Sequence, residues 1–444
     1  MSRRSRRRAP AERGVVEIED LASNARGVGH VDGKAVFVAD TLPGERVLYR
    51  PTKRKPRFDE ASLETLFSAS ATRTTPRCKH FGVCGGCALQ HADAAAQIEF
   101  KQSQLMDALE RVGKVRPETV LAPLSDARWG YRRRARLGVK YVPKKGGTLV
   151  GFRERGAPFI ALLERCEVLV ESVGTRLTEL ARMIDTLSIR QRLPQIEVAA
   201  ADNAVALVLR VLDSPTEADR AQLAAFGQTH GFSIYLQPGN EDTIEPLSLD
   251  APALYYELPA YDVRLYFRPN DFVQIHAGIN RAMVDQALSL LQLDHDDTVL
   301  ELFAGLGNFS LPMARTARRV ITVEGEGGLV ERARDNARAN GLDNIEAHVA
   351  NLFEPPATAA WTTGPVDKVL IDPPRSGALE VLDQVAATGA RRIVYCSCHP
   401  ATLARDAGEL VGRLGYRLTH AGVMDMFPHT AHIESMAVFE RTGS

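Results

Sequence analysis

The sequence lacks long apolar runs, an excess of either charge and a large number of cysteines. No stretch approaches the ~18 uninterrupted apolar residues of a membrane span, and the basic start MSRRSRRRAP is followed by no apolar segment that would make a signal peptide. Six cysteines in 444 residues are too few for a disulfide framework. These absences predict a cytoplasmic protein, and its length predicts several domains, since single cores stop growing near ~250 to 300 residues.

The basic charge is concentrated in segments. Lysine plus arginine and aspartate plus glutamate number 55 each, so the net charge points to no polyanionic partner. Residues 1–57 nevertheless contain 14 basic residues against 7 acidic ones, and residues 132–153 contain 8 basic residues and no acid. Such runs are typical of nucleic-acid-binding surfaces and also of solvated tails and faces. From the charges alone both interpretations remain open.

Four cysteines have the spacing of a metal or cluster site. Cys78, Cys84 and Cys87 fall within CKHFGVCGGC, and Cys166 stands alone downstream. Four thiolates fit either a tetrahedral zinc ion or a cubane iron–sulfur cluster. The glycines between them let backbone amides approach sulfur, and structural zinc more often uses two paired CxxC knuckles. The spacing therefore favours a cluster over zinc, and both over unligated buried cysteines.

Patterns of apolar residues divide the chain into four regions. Short β-rich runs predict a small barrel or sheet first, and a helical period over residues 91–113 follows the cysteines. Short strands with a helix near 170–185 then predict a mostly antiparallel α+β domain. From about Pro269, strands alternate with helices, as in a parallel sheet. The predicted divisions are a disordered basic arm (1–13), a β-barrel (14–68), a central domain (69–268) and an α/β domain (269–444).

The last region has the pattern of a cofactor pocket. In TVLELFAGLGNFS an apolar strand runs into a loop with Gly305 and Gly307 and then a helix, which places backbone amides close to a ligand. The loop is not GxGxxG, so a ligand without pyrophosphate is favoured over a dinucleotide. Glu324 ends the next strand, where a carboxylate can bind ribose hydroxyls. Asn351 and Asp372 follow the third and fourth strands. The ordered series predicts an S-adenosylmethionine pocket.

A thiol and several acid or base groups follow this pocket. The strand RRIVYC places Cys396 in the core and Cys398 just beyond the strand end, beside the predicted methyl donor. A thiolate that adds to carbon 6 of a pyrimidine turns carbon 5 into a nucleophile for a methyl group, after which a base must remove the carbon-5 proton. Candidates in DMFPHTAHIE are Asp425, His429, His432 and Glu434. The residues alone equally allow a capped turn with solvated side chains.

Five motifs resemble one family over about residues 14–443. They are DPPRSG (372–377), VYCSCHPAT (394–402), DMFPHTAHIE (425–434), CKHFGVCGGCALQH (78–91) and FRPNDFVQIHAGIN (267–280). The sequence resembles the bacterial RNA uracil-5-methyltransferases, most closely the branch with a TRAM domain and an iron–sulfur cluster that methylates 23S ribosomal RNA. It departs from the family at one position, because His399 replaces the asparagine that usually follows the nucleophilic cysteine.

The resemblance implies a fold and a set of roles. The fold is multidomain α/β: an OB-like TRAM barrel that binds RNA, a central α+β domain with a [4Fe-4S] loop, and a C-terminal Rossmann-like class I methyltransferase domain. Cys398 is the implied nucleophile and Glu434 the base. The implied S-adenosylmethionine ligands are Gln274, Phe303, Asn308, Glu324, Asn351 and Asp372. The implied cluster ligands are Cys78, Cys84, Cys87 and Cys166.

The implied substrate is a uracil in a single-stranded or loop region of 23S ribosomal RNA, with no membrane and no obligate protein partner. The base must leave its stack to reach the thiol, and Phe272 and the run Arg132 to Arg136 are candidates for stacking and phosphate contacts. Another ribosomal site or transfer RNA is the alternative substrate, although transfer-RNA relatives typically lack the N-terminal β domain and the cysteines. A non-catalytic RNA-binding or assembly factor is disfavoured by intact Cys398, Glu434 and Asp372.

Overall fold

The computed structural model describes residues 13–355, 361 and 364–443. Residues 1–12 of the predicted basic arm lie outside this range. The chain divides into two compact units. The first unit comprises Met1–Lys101, Glu154–Ala157 and His429–Ala431, and the second comprises Gln102–Arg153, Pro158–Pro428 and His432–Ser444. None of the helices in the described ranges is long and apolar enough to cross a membrane.

The first unit begins with a closed β-barrel. Its strands are β1 (Gly14–Glu17), β2 (Asp20–Leu21), β3 (Gly27–Val31), β4 (Lys34–Ala39), β5 (Arg46–Arg54) and β6 (Phe58–Ser68). The sheet order is β1-β5-β6-β4-β3-β2, so β1 and β2 lie at opposite edges. Only Ile18 and Glu19 separate these two strands in the chain, which requires the sheet to curl onto itself. The Glu19 amide closes the barrel by donating to the Val28 carbonyl at 2.7 Å. The predicted barrel is confirmed.

Alternating β-branched residues fill the barrel. Val36 and Val38 on β4 and Val47 on β5 are buried with Val16 and Ile18, because every second side chain of a strand points to the same face.

Helix α1 (Ala94–Ala108) follows the barrel and the cysteine loop and continues as one wider turn over Leu109–Gly113. It starts where the Asp93 carboxylate accepts the Ala96 amide at 2.8 Å, an N-cap contact. The predicted helix end at Gly113 is confirmed.

The second unit contains a mostly antiparallel sheet. Its strands are β8 (Arg134–Val142), β9 (Gly147–Gly151), β10 (Gln195–Ala200), β11 (Val205–Arg210), β12 (Phe232–Gln237) and β13 (Glu245–Pro246), and β7 (Thr119–Val120) precedes them. Its helices are α2 (Glu171–Gly174), α3 (Leu177–Thr186) and α4 (Glu217–His230). The order is β13-β12-β11-β10-β8-β9, and β11 pairs with β12 in parallel. A parallel pair needs a crossover, and α4 supplies it.

Sequence reasoning missed the two-residue strands β7 and β13 and two longer elements of this unit. Helix α4 begins at a capping box in which the Thr216 hydroxyl and the Asp219 carboxylate bind each other's backbone amide. The spacing of Thr216 and Asp219 was a usable signal for this helix start. The second longer element is β15 (Val263–Phe267), which pairs with β14 (Leu254–Leu258) as an antiparallel hairpin.

The second unit also contains the predicted parallel sheet. Its strands are β16 (Thr298–Leu302), β17 (Arg319–Glu324), β18 (Ile345–Val349), β19 (Lys368–Ile371), β20 (Arg392–Ser397), β21 (Tyr416–Met424) and β22 (Glu434–Arg441). Helix α5 (Ala277–Leu291) precedes β16, and the helices between the strands are α6 (Ser310–Ala314), α7 (Gly327–Ala339), α8 (Leu382–Ala387) and α9 (Pro400–Gly412). The order is β18-β17-β16-β19-β20-β22-β21-β7, in which β16 to β20 are parallel and β22 is antiparallel.

This strand order confirms the Rossmann-like methyltransferase fold. Counted from β16, the order is 3-2-1-4-5-7-6, and the seventh strand is the reversed one. The chain runs outward from β16 to β17 and β18, then returns to β19 on the other side of β16. Such a reversal leaves a crevice at the carboxyl ends of the strands, where open α/β sheets bind ligands.

Candidate active site

A cavity of about 610 Å³ lies at this crevice. Its volume is within the ~300 to 1,000 Å³ of small-molecule sites. All eight residues that the sequence indicated for cofactor binding and catalysis line it: Gln274, Phe303, Asn308, Glu324, Asn351, Asp372, Cys398 and Glu434. The structure therefore brings the complete predicted set together, and the individual roles remain predictions.

The loop after β16 turns sharply at the cavity. Phe303 has a φ of +63° and donates its amide to the Val323 carbonyl at 2.9 Å. Gly307 has a φ of +96°, and a Cβ atom there would stand 2.3 Å from the Leu311 side chain. Gly305 is also left-handed, at +54°, but a Cβ there would meet open space. At position 307 a side chain would collide with Leu311 as well as strain the backbone. At position 305 only the positive φ favours glycine.

Glu324 is held by backbone amides at the end of β17. One carboxylate oxygen accepts the Gly305 amide at 3.1 Å, and the other accepts the amides of Gly325 at 2.6 Å and Glu326 at 3.0 Å. A carboxylate offers about four acceptor positions. The three amides therefore orient the carboxylate and leave capacity for a hydroxyl donor from a ligand.

Asn308 is fixed by two residues that sequence reasoning did not select. Its side-chain amide exchanges two hydrogen bonds with that of Asn280, each at 2.9 Å. The Tyr256 hydroxyl donates to the same Asn308 oxygen at 2.9 Å. Burial raises the pKa of Tyr256, so its hydroxyl keeps the proton that it donates. Tyr256 lies on β14 and Asn280 on α5, far from Asn308 in sequence.

Aromatic rings form one part of the cavity wall. Phe353 follows β18 and packs its ring against Phe303, with centroids 5.7 Å apart and planes at 49°. The Asn351 side-chain oxygen accepts the Phe353 amide at 3.0 Å, which ties the ring to the strand end. Phe353 and Phe272 are exposed and both line the cavity. The sequence indicated Asn351 but not Phe353.

Glu301 is a buried acid in the cavity wall that sequence reasoning also missed. It lies within β16, is 1% exposed, and accepts a short hydrogen bond from the Ser310 hydroxyl. Burial raises its pKa to about 8, and the nearby carboxylates of Asp372 and Glu324 add to this rise. Glu301 is therefore mostly neutral at pH 7. The usable signal was an acid in the middle of the apolar strand TVLEL.

Asp372 follows β19 at the next strand end. Burial raises its pKa to about 7. The carboxyl group therefore changes charge near neutral pH, whereas an exposed aspartate is ionised there. Perturbed carboxyl groups in a cavity are typical of functional sites and not of solvated strand caps.

Cys398 and Glu434 face each other across two antiparallel strands. Ser397 on β20 pairs with Ser435 on β22. Cys398 is one residue beyond Ser397, and Glu434 is one residue before Ser435, so the two are in register. Burial, with smaller contributions from Glu434 and Asp372, raises the pKa of the Cys398 thiol to about 11, and Arg375 opposes this rise. This geometry offers a thiol and a proton acceptor to one bound molecule. Cys396 is buried, as alternation predicted.

His399 takes the position where the family usually has asparagine. Its amide donates to the Ser397 hydroxyl oxygen at 3.1 Å, and its carbonyl accepts the Thr402 hydroxyl at 3.0 Å. Pro400 then begins α9, as proline commonly begins helices. Burial and Arg375 lower the pKa of His399, so its ring is neutral. Asparagine could make the same two backbone contacts, and the His399 ring adds a contact of 3.4 Å between its Nδ1 atom and the Thr402 hydroxyl.

Three of the predicted cluster ligands lie in the first unit, and Cys166 lies in the second. The Gly86 amide donates to the Cys84 sulfur at 3.4 Å. Burial raises the pKa of Cys84, while the Gly86 amide and the Arg155 guanidinium oppose this rise. Arg155 also donates to the Cys87 carbonyl at 3.1 Å. Amide donors and a cation beside sulfur suit metal-bound thiolates. The loop therefore fits a cluster, and the ligand set remains a prediction.

Two parts of the chain match known families. Residues 95–354 and 361–442 match the family described as tRNA (uracil-5-)-methyltransferase, and residues 13–62 match the TRAM domain. The chain is 56% identical over 442 residues to the 23S rRNA (uracil(1939)-C(5))-methyltransferase RlmD of Alkalilimnicola ehrlichii, with 99% of each chain covered. It is 50% identical over 441 residues to the enzyme of the same name from Stenotrophomonas maltophilia, again with 99% of each chain covered.

A solved structure shares the fold. The tRNA (uracil-54, C5)-methyltransferase of Pyrococcus abyssi, in complex with S-adenosyl-L-homocysteine, superposes with a TM-score of 0.73 at 24% sequence identity, covering 96% of this chain and all of the other. Fold, family match and full-length relatives agree. The chain belongs to the tRNA (uracil-5-)-methyltransferase family, whose members are S-adenosylmethionine-dependent RNA uracil-5-methyltransferases.

Proposed function

We propose that this chain methylates carbon 5 of uracil 1939 in 23S ribosomal RNA, using Cys398 as nucleophile and Glu434 as base. The target comes from the relatives that match the full chain and are named for this reaction. The observation that carries the chemistry is the single cavity lined by Cys398, Glu434 and all six predicted cofactor ligands. A ribosomal RNA substrate would be met in the cytoplasm.

The residues that line the cavity are suited to binding S-adenosylmethionine. Glu324 presents an oriented carboxylate for ribose hydroxyls, the loop with Gly305 and Gly307 exposes backbone, and the rings of Phe303 and Phe353 offer an apolar wall. Asp372 and Glu324 supply negative charge for a cationic ligand. When bound there, the cofactor supplies an electrophilic methyl group.

Cys398 and Glu434 carry the covalent steps. Cys398 adds its sulfur as a thiolate to carbon 6 of the uracil, which gives carbon 5 enolate character and lets it take the methyl group, whose former bonding electrons would stay with the donor sulfur. Glu434 then accepts the proton from carbon 5, and the Cys398 sulfur leaves carbon 6 with its electron pair, restoring the aromatic ring. Because burial raises the thiol pKa to about 11, the thiol proton must first pass to solvent, and Arg375 is a nearby cation that favours the thiolate.

RNA binding is proposed for the TRAM barrel and the basic run 132–153. We further propose that Cys78, Cys84, Cys87 and Cys166 hold a [4Fe-4S] cluster; stoichiometric zinc without iron in anaerobically purified protein would refute this.

In the basic run, Arg133 pairs with Asp202, Arg136 pairs with Glu197, and Arg134 donates to the Pro269 carbonyl. These arginines are engaged within the protein, so exposed lysines such as Lys140 and Lys144 are the better phosphate contacts.

Mass mapping of ribosomal RNA from a strain that lacks the gene tests the proposed function. The account predicts that one 5-methyluracil disappears, at position 1939 of 23S RNA, and returns with the wild-type gene but not with Cys398→Ala. Transfer RNA from the same strain is the matched control. Loss of a transfer-RNA 5-methyluracil, with 23S RNA unchanged, would establish the alternative substrate instead.

A further inference from the structure

The turn between β21 and β22 carries part of the cavity wall. Met424 and Glu434 form the last strand pair before the turn, and Phe427, His432 and Glu434 line the cavity. The middle of the turn, His429–Ala431, belongs to the first unit, which also contains the cysteine loop. The segment that leads into the proposed base is therefore packed within the unit that holds Cys78, Cys84 and Cys87.

The backbone of His429 is bonded on both sides. Its carbonyl accepts the amides of Ala88 at 2.8 Å and Leu89 at 2.9 Å, and its amide donates to the Gln97 side-chain oxygen at 2.9 Å. Gln97 is fully buried on α1, and its side-chain nitrogen donates to the carbonyls of Leu89 at 2.7 Å and Ala92 at 2.8 Å. One glutamine thus joins the segment after the cysteines to the turn.

His429 itself adopts a conformation that needs such support. It is 3% exposed and has a φ of +68°, in the left-handed region that side chains other than glycine rarely occupy. Such a conformation persists only where the surroundings fix it, and it is commonest at functional sites. The bonds from Ala88, Leu89 and Gln97 provide that fixation.

We propose that Gln97 and His429 are positioning residues that hold the β21–β22 turn and, through the two residues that separate Ala431 from Glu434, the Glu434 carboxylate. Ala88 directly follows Cys87, and the amides of Ala88 and Leu89 join the end of the cysteine loop to the His429 carbonyl, five residues before the base. This inference rests on the proposed function, because it assigns Glu434 its role.

Gln97→Met tests this positioning role, since methionine keeps the volume and removes the hydrogen bonds. The variant is expected to methylate but to release RNA slowly, so that a covalent complex with unmodified RNA accumulates, as it should in Glu434→Gln. Turnover should fall by up to about 10²-fold, the effect of misplacing a catalytic group by about 1 Å. The affinity for S-adenosylmethionine, measured by calorimetry, should stay within about twofold, because the Gln97 side chain bonds to Leu89, Ala92 and His429, which are not among the six predicted ligands.

Two further variants separate positioning from simple destabilisation. Glu45→Gln breaks a buried contact of the first unit, with Arg73, that does not involve His429; it should lower the melting temperature without accumulating the complex. His429→Gly keeps the backbone hydrogen bonds, and glycine adopts the positive φ without strain, so this variant should fold even if Gln97→Met does not. Glycine also leaves the backbone of the turn less rigid. It should accumulate the complex to a smaller extent.

The outcomes separate this inference from the proposed function. If Glu434→Gln itself forms no complex, the assignment of the base fails. If Glu434→Gln accumulates the complex while Gln97→Met and His429→Gly turn over without it, only the positioning role is wrong. Equal accumulation in Glu45→Gln would show that loss of stability, and not the turn, causes the effect.

Discussion

Four carboxyl groups line the cavity, those of Glu301, Glu324, Asp372 and Glu434, and three of them have clearly different surroundings. Backbone amides orient the Glu324 carboxylate, whereas burial raises the pKa of Asp372 to about 7 and that of Glu301 to about 8. At neutral pH the Asp372 carboxyl group is therefore titrating and the Glu301 carboxyl group is mostly neutral. A cationic ligand should bind more tightly as the pH rises through 7, because Asp372 becomes charged.

Glu301→Gln should change the pH dependence of stability. The folded protein binds the Glu301 proton more tightly than the unfolded chain, so the acid contributes stability that is complete at low pH and is lost as the pH rises through about 8. Glutamine has no charge to bury and still accepts from the Ser310 hydroxyl. In thermal unfolding, the melting temperature of the variant should rise relative to that of the wild type as the pH increases from 6 to 9.5. A constant difference over that range would show that Glu301 does not titrate there.

The contacts at the site also show which of its residues could be identified from the sequence. Glu324, Asn351 and Asp372 were predictable because each lies at the end of a recognisable strand, and parallel strand ends meet at one edge. Phe303 was named through the family resemblance. The contacts of Tyr256 and Asn280 with Asn308 were not predictable, since both residues reach Asn308 from other elements, although Asn280 ends a motif that carries the resemblance. The neutral state of Glu301 depends on burial, which only the packed structure determines. The contact of His429 with Gln97 joins residues 332 positions apart.

At the scale of elements, the glycine loop between β16 and α6 can be tested with a matched pair. Gly307→Ala places a Cβ atom 2.3 Å from Leu311 at a φ of +96°, whereas Gly305→Ala meets open space at +54°. We expect Gly307→Ala to cost ~1 to 3 kcal/mol in unfolding free energy from backbone strain alone and to weaken S-adenosylmethionine binding further than Gly305→Ala does. Calorimetric titration of both variants measures this. Equal affinities would mean that the turn does not shape the site.

Other elements were predicted with mixed success for physical reasons. The barrel was recognisable from short β-branched runs between glycines, and its closure follows from the two-residue link between β1 and β2. Helix α4 was overlooked although Thr216 and Asp219 mark its start, because its apolar period is weak. The assignment of phosphate contacts to the run Arg132 to Arg136 took no account of the carboxylates of Asp202 and Glu197, which lie on other elements and pair with it.

At the scale of the whole molecule, RNA binding by the barrel needs a test that leaves the first unit folded. Leu21 and Leu42 of the barrel region pack with Leu89 and Phe100, so removal of residues 1–68 would expose the core around α1. Substitution of exposed barrel cations avoids this. Lys53→Ala and Arg57→Ala should each flatten the slope of log affinity against log salt by ~0.7 to 0.9, since each phosphate contact releases a counterion. Filter binding across a salt titration measures it, and unchanged slopes would remove the barrel's proposed role.

The central claim is covalent catalysis by Cys398 inside the cavity. The most direct measurement is mass spectrometry of the protein after incubation with S-adenosylmethionine and 23S RNA fragments that contain 5-fluorouracil, because fluorine cannot leave carbon 5 as a proton and the adduct persists. We expect one methylated RNA adduct per chain, located at Cys398 by peptide mapping and absent in Cys398→Ala. An adduct on another residue, or one that persists in Cys398→Ala, would contradict it.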